Sequence, residues 1–247
     1  MRALCLVLLA ASVVFGQAPR LQSEKIKLSD FEPSVVKIVV VGQGPAGYNS
    51  VGTGFFVGDH LIASAAHVYL EAAKAVVDAS SGQIGAYKVF RDGRRIFFPV
   101  EYRTADLAHD VVLLNFNAEE VKKQNPTFEI KPLKIDDTKP ELGDEVAFLG
   151  YFAGDELPIL SRTTIAGYTG SVAGGPSVQE QLILDLPANP GQSGSPVFDF
   201  RTGGVVGILA SFVPVTLVPG SLPTHSGLSR SVEVVHLKRL IESAEVR

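Results

Sequence analysis

The 247-residue sequence contains one cysteine, one methionine and no tryptophan. A single cysteine excludes a disulfide framework and a cysteine-based zinc site. Charge is scarce too. Charged residues make up 19% of the chain, and 22 basic against 26 acidic side chains leave a net charge of −4. That balance offers no cationic face for nucleic acid or an anionic membrane. Beyond the N-terminus no stretch is long and apolar enough to cross a bilayer. What remains is a hydrophobic fraction of 46%, too high for disorder. The length suits one large β domain or two small packed ones with an ample core.

The one long apolar run is at the start. Met1-Arg2 is followed by uninterrupted apolar and small residues from Ala3 to Phe15, then by Gly16 and Ala18. One positive charge, a short apolar core and small residues after it predict a secretory signal peptide over residues 1–16. Pro19 would obstruct cleavage after Ala18, which favours Gly16 with Val14 before it. Cys5 begins the apolar run rather than ending it, so it is a poor lipid-attachment site. Cleavage removes Cys5 and Arg2, leaving 21 basic residues against 26 acidic and a net charge of −5. An exported chain without cysteine is expected in a bacterial periplasm or outside the cell, with no membrane span in the mature protein.

From about Glu32 onward, short β-rich runs alternate with Gly, Pro, Asn and Asp. Strands are predicted at 34–41, 51–57, 60–63, 86–90, 96–102, 111–116, 145–151, 159–168, 181–186, 197–199 and 205–212. Strands at this spacing predict an all-β fold, an antiparallel barrel or sandwich. Two helices interrupt the pattern. Ala65 to Ala75 is short and alanine-rich. Ser231 to Ala244 places Val234, Leu237, Leu240 and Ile241 on one face, as expected of a closing helix that covers a barrel.

Three segments carry the chemistry. Asn189-Pro-Gly-Gln-Ser-Gly-Ser-Pro-Val-Phe198 sets a serine in a glycine-rich turn before a strand, which exposes the Ser193 hydroxyl. Gly191 permits the backbone angles of such a turn, and the N–H groups of Gly191 and Ser193 can face a developing oxyanion. Serine needs a base within reach to act as a nucleophile. Leu61-Ile-Ala-Ser-Ala-Ala-His-Val68 supplies His67, between a hairpin and a helix of small residues. Asp110 precedes the apolar strand Val111 to Phe116 and can orient one imidazole nitrogen of His67. Alone, each is an ordinary residue at an element end. Asp106, His60, His109 and His236 compete for the same roles, but none has the same local frame.

With those segments in view, the chain resembles the chymotrypsin-fold serine proteases of the cysteine-free bacterial kind, and is similar to the catalytic domain of Deg-type proteases. The matching residues are Gly52 to Val57, Ser64 to Val68, Asp110 to Leu114, Leu142 to Val146 with Leu149-Gly150, Asp185 to Pro196, Val206 to Ile208 and Gly227 to Ser229. The resemblance implies two packed six-stranded antiparallel barrels with a C-terminal helix. It would make 17–247 one protease domain, with halves at roughly 32–135 and 136–247. It implies the triad His67, Asp110 and Ser193 and an oxyanion hole at Gly191 and Ser193. The reaction would be peptide-bond hydrolysis through an acyl-enzyme, with a protein or peptide substrate and no cofactor or metal. Ser195 stands where Deg-type proteases usually carry a second glycine, and is expected not to touch the chemistry.

By the same match, the pocket for the side chain before the scissile bond has Pro187 at its base. Its walls would be Ala188, Ala210, Ser211, Phe212, Ser226 and Gly227. Small or apolar walls favour small aliphatic side chains over charged ones. A catalytically silent binding domain on the same scaffold is the alternative. It predicts loss of a triad member, and all three are present.

Overall fold

The computed structural model describes residues 27–42, 48–169, 181–215 and 224–245, so the leader expected at 1–16 lies outside the described residues. A first short helix, α1 (Leu28–Phe31), runs into a 3-10 turn (Glu32–Ser34) and then into two β bodies.

The first body is a seven-stranded antiparallel sheet. Its strands are β1 (Val35–Val41), β2 (Tyr48–Gly58), β3 (Leu61–Ala65), β4 (Gln83–Val89), β5 (Arg95–Pro99), β6 (Glu101–Asp106) and β7 (Val111–Asn115), in the order β5-β4-β1-β2-β3-β7-β6. The two edge strands are successive pieces of chain separated only by Val100. Val100 N–H still bonds to the Ile84 carbonyl at 3.2 Å, and Glu101 then pairs with Asn115. One bent run therefore serves both edges, which curls the sheet on itself and explains seven strands where six were expected.

The second body is a closed barrel of six strands. They are β8 (Glu145–Gly150), β9 (Ile159–Thr169), β10 (Gln181–Leu184), β11 (Pro196–Asp199), β12 (Val205–Val215) and β13 (Thr224–Glu233), in the order β10-β13-β12-β11-β8-β9.

Three helices decorate these bodies: α2 (Ala66–Asp78), α3 (Ala118–Gln124) and α4 (Val234–Glu245). Helix α2 runs three residues past the expected end. Helix α3 was not anticipated, although Asn117 caps it by accepting from Glu120 N–H at 3.0 Å, which is a recognisable N-terminal signature. Helix α4 starts three residues later than expected, because Ser231, Val232 and Glu233 continue β13 by pairing with Leu209, Ile208 and Gly207. It buries Val234, Leu237, Leu240 and Ala244 against β6, β7, β12 and β13, so it spans both bodies instead of covering one.

The seam between the bodies is packed and hydrogen-bonded. One buried cluster runs from Phe55, Phe56 and Phe98 of the first body to Leu149, Tyr151, Phe198 and Ile208 of the second, and a smaller core fills the second barrel. The Phe31 and Phe198 rings meet at 4.3 Å. Buried Lys37 reaches across to the Asp155 carbonyl.

Thr53 is the polar centre of the seam, fully buried on β2. Its N–H donates to the Ser193 carbonyl at 2.8 Å. Its hydroxyl donates to the Gly191 carbonyl at 2.8 Å and accepts from Tyr151 N–H at 3.0 Å. Thr53→Val keeps the shape but strands a buried carbonyl and a buried N–H. We expect it to lower the unfolding free energy by about 1–3 kcal/mol in urea titration, the usual cost of a buried polar group left unpaired. An unchanged midpoint would remove Thr53 from this role.

Candidate active site

The site is assembled where β3 and β7 run side by side. Ala65 pairs with Val111, so the start of α2 and the turn before β7 emerge together. His67 is the second residue of α2, and Asp110 ends that turn.

The start of α2 has no cap from its own segment; Ala65 supplies no side-chain bond. Asp110 acts in its place from across the sheet. Its carbonyl accepts from Ala66 N–H at 3.0 Å, and its Oδ1 accepts from His67 N–H at 2.8 Å. Its Oδ2 lies 2.7 Å from His67 Nδ1. A carboxylate at a helix N-terminus is favoured by the helix dipole as well as by the orphan N–H groups. Asp110 reaches this position with φ +56°, a left-handed conformation that Asp tolerates better than most residues. Burial alone would lower the His67 pKa, but the hydrogen bond and charge of Asp110, with a smaller contribution from Glu71, outweigh it and leave the pKa raised.

Ser193 lies in the loop between β10 and β11. The peptide bonds on either side of Gln192 and Gly191 are held by their carbonyls. Pro190 carbonyl accepts from Ala153 N–H at 2.8 Å. Gln192 carbonyl accepts from Ser195 N–H at 3.1 Å and from the Ser195 hydroxyl at 2.6 Å. In a trans peptide the N–H points opposite to the C=O, so these bonds fix the directions of the Gly191 and Ser193 N–H groups. Neither N–H has a hydrogen-bond partner among the described residues. Gly191 has φ +92°, and a Cβ there would come within 2.6 Å of Ala153 N and Tyr151 O, so only glycine fits this turn.

Ser195 has a positioning part that its sequence neighbours do not suggest: its hydroxyl holds the peptide that carries the Ser193 N–H. It has room because residue 150 is glycine, where a Cβ would sit 1.8 Å from the Ser195 hydroxyl oxygen. Gln192 is fully buried and accepts from Asn189 N–H at 2.9 Å, closing the loop from inside. Its Nε2 has no partner among the described residues.

The Ser193 hydroxyl donates to the Ala210 carbonyl at 3.1 Å, and no hydrogen bond joins it to His67. The two residues nevertheless line one cleft of about 370 Å³, together with Asp110, Glu71, Ala188, Asn189, Pro190, Ala210, Ser211 and Phe212. Another cavity, of about 640 Å³, lies elsewhere, around His60, Phe97, Arg103 and Glu120, and contains none of these groups.

Of the pocket residues expected from sequence, Ala188, Ala210, Ser211 and Phe212 line the cleft. Pro187, Ser226 and Gly227 do not. Ser226 and Gly227 lie where the β12–β13 register jumps between the Phe212–Ser229 and Pro214–His225 pairs, so they bulge out and are exposed. Sequence reasoning missed Thr53, Gln192 and the anchoring role of Ser195. Their signal is burial of a polar side chain, which no linear pattern displays. Of the competitors, His109 pairs with Asp106 and stacks on His236, apart from the cleft, and His60 lines the other cavity.

The sequence matches the trypsin-like peptidase domain family over residues 52–208, well over half of the chain. No curated protein matches it. Among solved structures, the chain is similar to the active form of the Rv3671c protease from M. tuberculosis, with a TM-score of 0.61, 19% identity, and 96% of this chain and 93% of that one covered. The inactive form of that protein aligns with a TM-score of 0.59 at 19% identity over 94% of this chain and 95% of that one. Deg5 aligns with a TM-score of 0.59 at 19% identity, over 84% of this chain and 87% of that one. At this identity the likeness establishes the chymotrypsin-like fold, and with the family match over the segments that hold His67, Asp110 and Ser193 it leads to one assignment: the chain belongs to the trypsin-like peptidase family.

Proposed function

We propose that the protein is an exported serine endopeptidase in which Ser193 is the nucleophile, His67 the general base and then acid, and Asp110 the group that orients His67. The observation that carries this reading is the Asp110–His67 pair at 2.7 Å, facing Ser193 across a cleft beside two unengaged N–H groups. Rotation about the Ser193 side chain would exchange the Ala210 carbonyl for His67 Nε2. Ser193 Oγ then attacks the scissile carbonyl carbon as its proton passes to His67. The carbonyl oxygen, now an oxyanion, is met by the Gly191 and Ser193 N–H groups. His67 returns the proton to the departing amine, leaving an acyl-enzyme that water hydrolyses by the same steps reversed.

The walls nearest Ser193 are Ala188, Ala210, Ser211 and Phe212, which favours small or aliphatic side chains before the scissile bond. Export rests on the sequence of residues 1–16, and places the enzyme in the periplasm or outside the cell.

Ser193→Ala is expected to abolish both labelling by a fluorophosphonate and hydrolysis of a peptide library. If the unaltered protein takes no label at all, the silent-scaffold alternative stands instead. Asp110→Asn should lower kcat by about 10⁴-fold through the wrong His67 tautomer. A near-normal rate would show that the carboxylate does not orient the base.

The pH dependence has a definite sign. The base must be unprotonated, and Asp110 stabilises the protonated ring, so kcat/KM should climb through a midpoint above the ordinary histidine value of about 6.5. The same pair adds stability that is fully present below about pH 6.5 and is lost as pH rises through the raised pKa. A kcat/KM midpoint at or below the ordinary value contradicts this coupling.

A further inference from the structure

Outside the cleft, Asp106, His109 and His236 gather one carboxylate and two imidazoles whose candidate ligand atoms all lie within 4.8 Å of one another. Asp106 ends β6, His109 is in the turn that leads to Asp110, and His236 is in the first turn of α4. One short turn and a helix far along the chain thus converge on one point.

The cluster is partly organised already. His109 Nδ1 is 2.7 Å from Asp106 Oδ2, and His109 N–H donates to Asp106 Oδ1 at 3.2 Å. Around a tetrahedral ion with bonds of about 2.0–2.2 Å neighbouring donors lie roughly 3.3–3.6 Å apart, so an ion would replace this hydrogen bond and need the pair to open by less than about 1 Å. The His236 ring stacks on His109 with centroids 3.6 Å apart and planes 15° from parallel. All three side chains are half-buried, within reach of an ion in solvent.

We propose that Asp106, His109 and His236 form a zinc-binding site that fastens α4 to the turn carrying Asp110. Two imidazoles and a carboxylate suit zinc, whereas calcium and magnesium prefer sets made of oxygen alone. Swinging the His236 ring out of the stack brings its nitrogen into the donor set, and water completes the coordination. Helix α4 already anchors to β6 at its far end, where Arg103 donates to the Ala244 carbonyl at 2.8 Å. The ion would hold the near end. In a chain whose one cysteine lies in the leader, a metal bridge between residues 109 and 236 is a crosslink that needs no disulfide.

The site can be tested without an activity assay. Chelator-treated protein is dialysed against zinc chloride, and bound metal is counted for the unaltered chain, His236→Ala, Asp106→Asn and His60→Ala. One zinc per chain is expected, with affinity at least about tenfold weaker in His236→Ala and in Asp106→Asn, since even an outer partner of a metal site contributes that much. His60→Ala should bind as the unaltered chain does. Zinc should also raise the melting temperature of the unaltered protein but not of His236→Ala. Asp106→Asn changes a single atom of a half-exposed side chain, so it tests the site even if the helix variant folds poorly. No retained zinc at micromolar free metal, or equal binding by all four proteins, would overturn the proposal.

Discussion

The carboxylate of Asp110 is shared between two donors of one residue, the backbone N–H and the ring Nδ1 of His67. Much of the arrangement depends on this division. One oxygen caps a helix that has no cap of its own, and the other fixes the ring that the helix carries. The main-chain carbonyl adds a third anchor at Ala66. Hydrogen bonds to a charged group contribute about 1.5–3 kcal/mol each, enough to offset the left-handed backbone that Asp110 adopts. Folding the β3–α2 junction and orienting the imidazole are therefore one event. A helix out of place would carry a ring out of place, and neither can drift while Asp110 holds both.

Ser193 is fixed by different means and from the other body. Its loop is pinned at four carbonyls by three residues, Ala153, Thr53 and Ser195, and Thr53 belongs to the first sheet. A single buried threonine thus registers the loop of one body against the helix of the other. The seam needs that polar stitch because apolar packing, though extensive, is non-directional. The apolar cluster that crosses the seam and the Phe31–Phe198 contact hold the bodies together, but they do not set the position of a peptide group to within a hydrogen bond. Thr53 does.

Most of the strands were legible in the sequence, because alternation and turn residues mark them locally. His67, Asp110 and Ser193 were legible too, each in a short local frame, and the structure gathers them in one cleft. What escaped depends on tertiary partners. Ser231 to Glu233 has the periodicity of the helix it precedes, yet cross-strand pairs with β12 claim it for the sheet. The bend at Val100 is marked only by Pro99 before it, and extended backbone continues on both sides, so the run reads as one strand. Ser226 and Gly227 were expected in the pocket from the resemblance, and they lie in an exposed stretch at a register jump that no local pattern encodes. Ser195 is the sharpest case. Its contribution lies in a bond to the Gln192 carbonyl and in space left by Gly150, and neither is visible from its own neighbours in sequence.

The Ser193 hydroxyl rests on the Ala210 carbonyl, and under the proposed mechanism this is a modest obstacle. Exchanging one neutral hydrogen bond for another changes the free energy by only about 0.5–1.5 kcal/mol, against barriers that enzymes lower by about 8–23 kcal/mol. The backbone around Ser193 would not have to move, since its carbonyl stays on Thr53 and the preceding peptide stays on Ser195. Under that mechanism a single side-chain torsion would separate the resting arrangement from the reactive one. Such a torsion is fast beside catalytic turnover. The costly parts of the site, the two aimed N–H groups and the oriented imidazole, are already built into the fold. The cheap part is the one left free to turn.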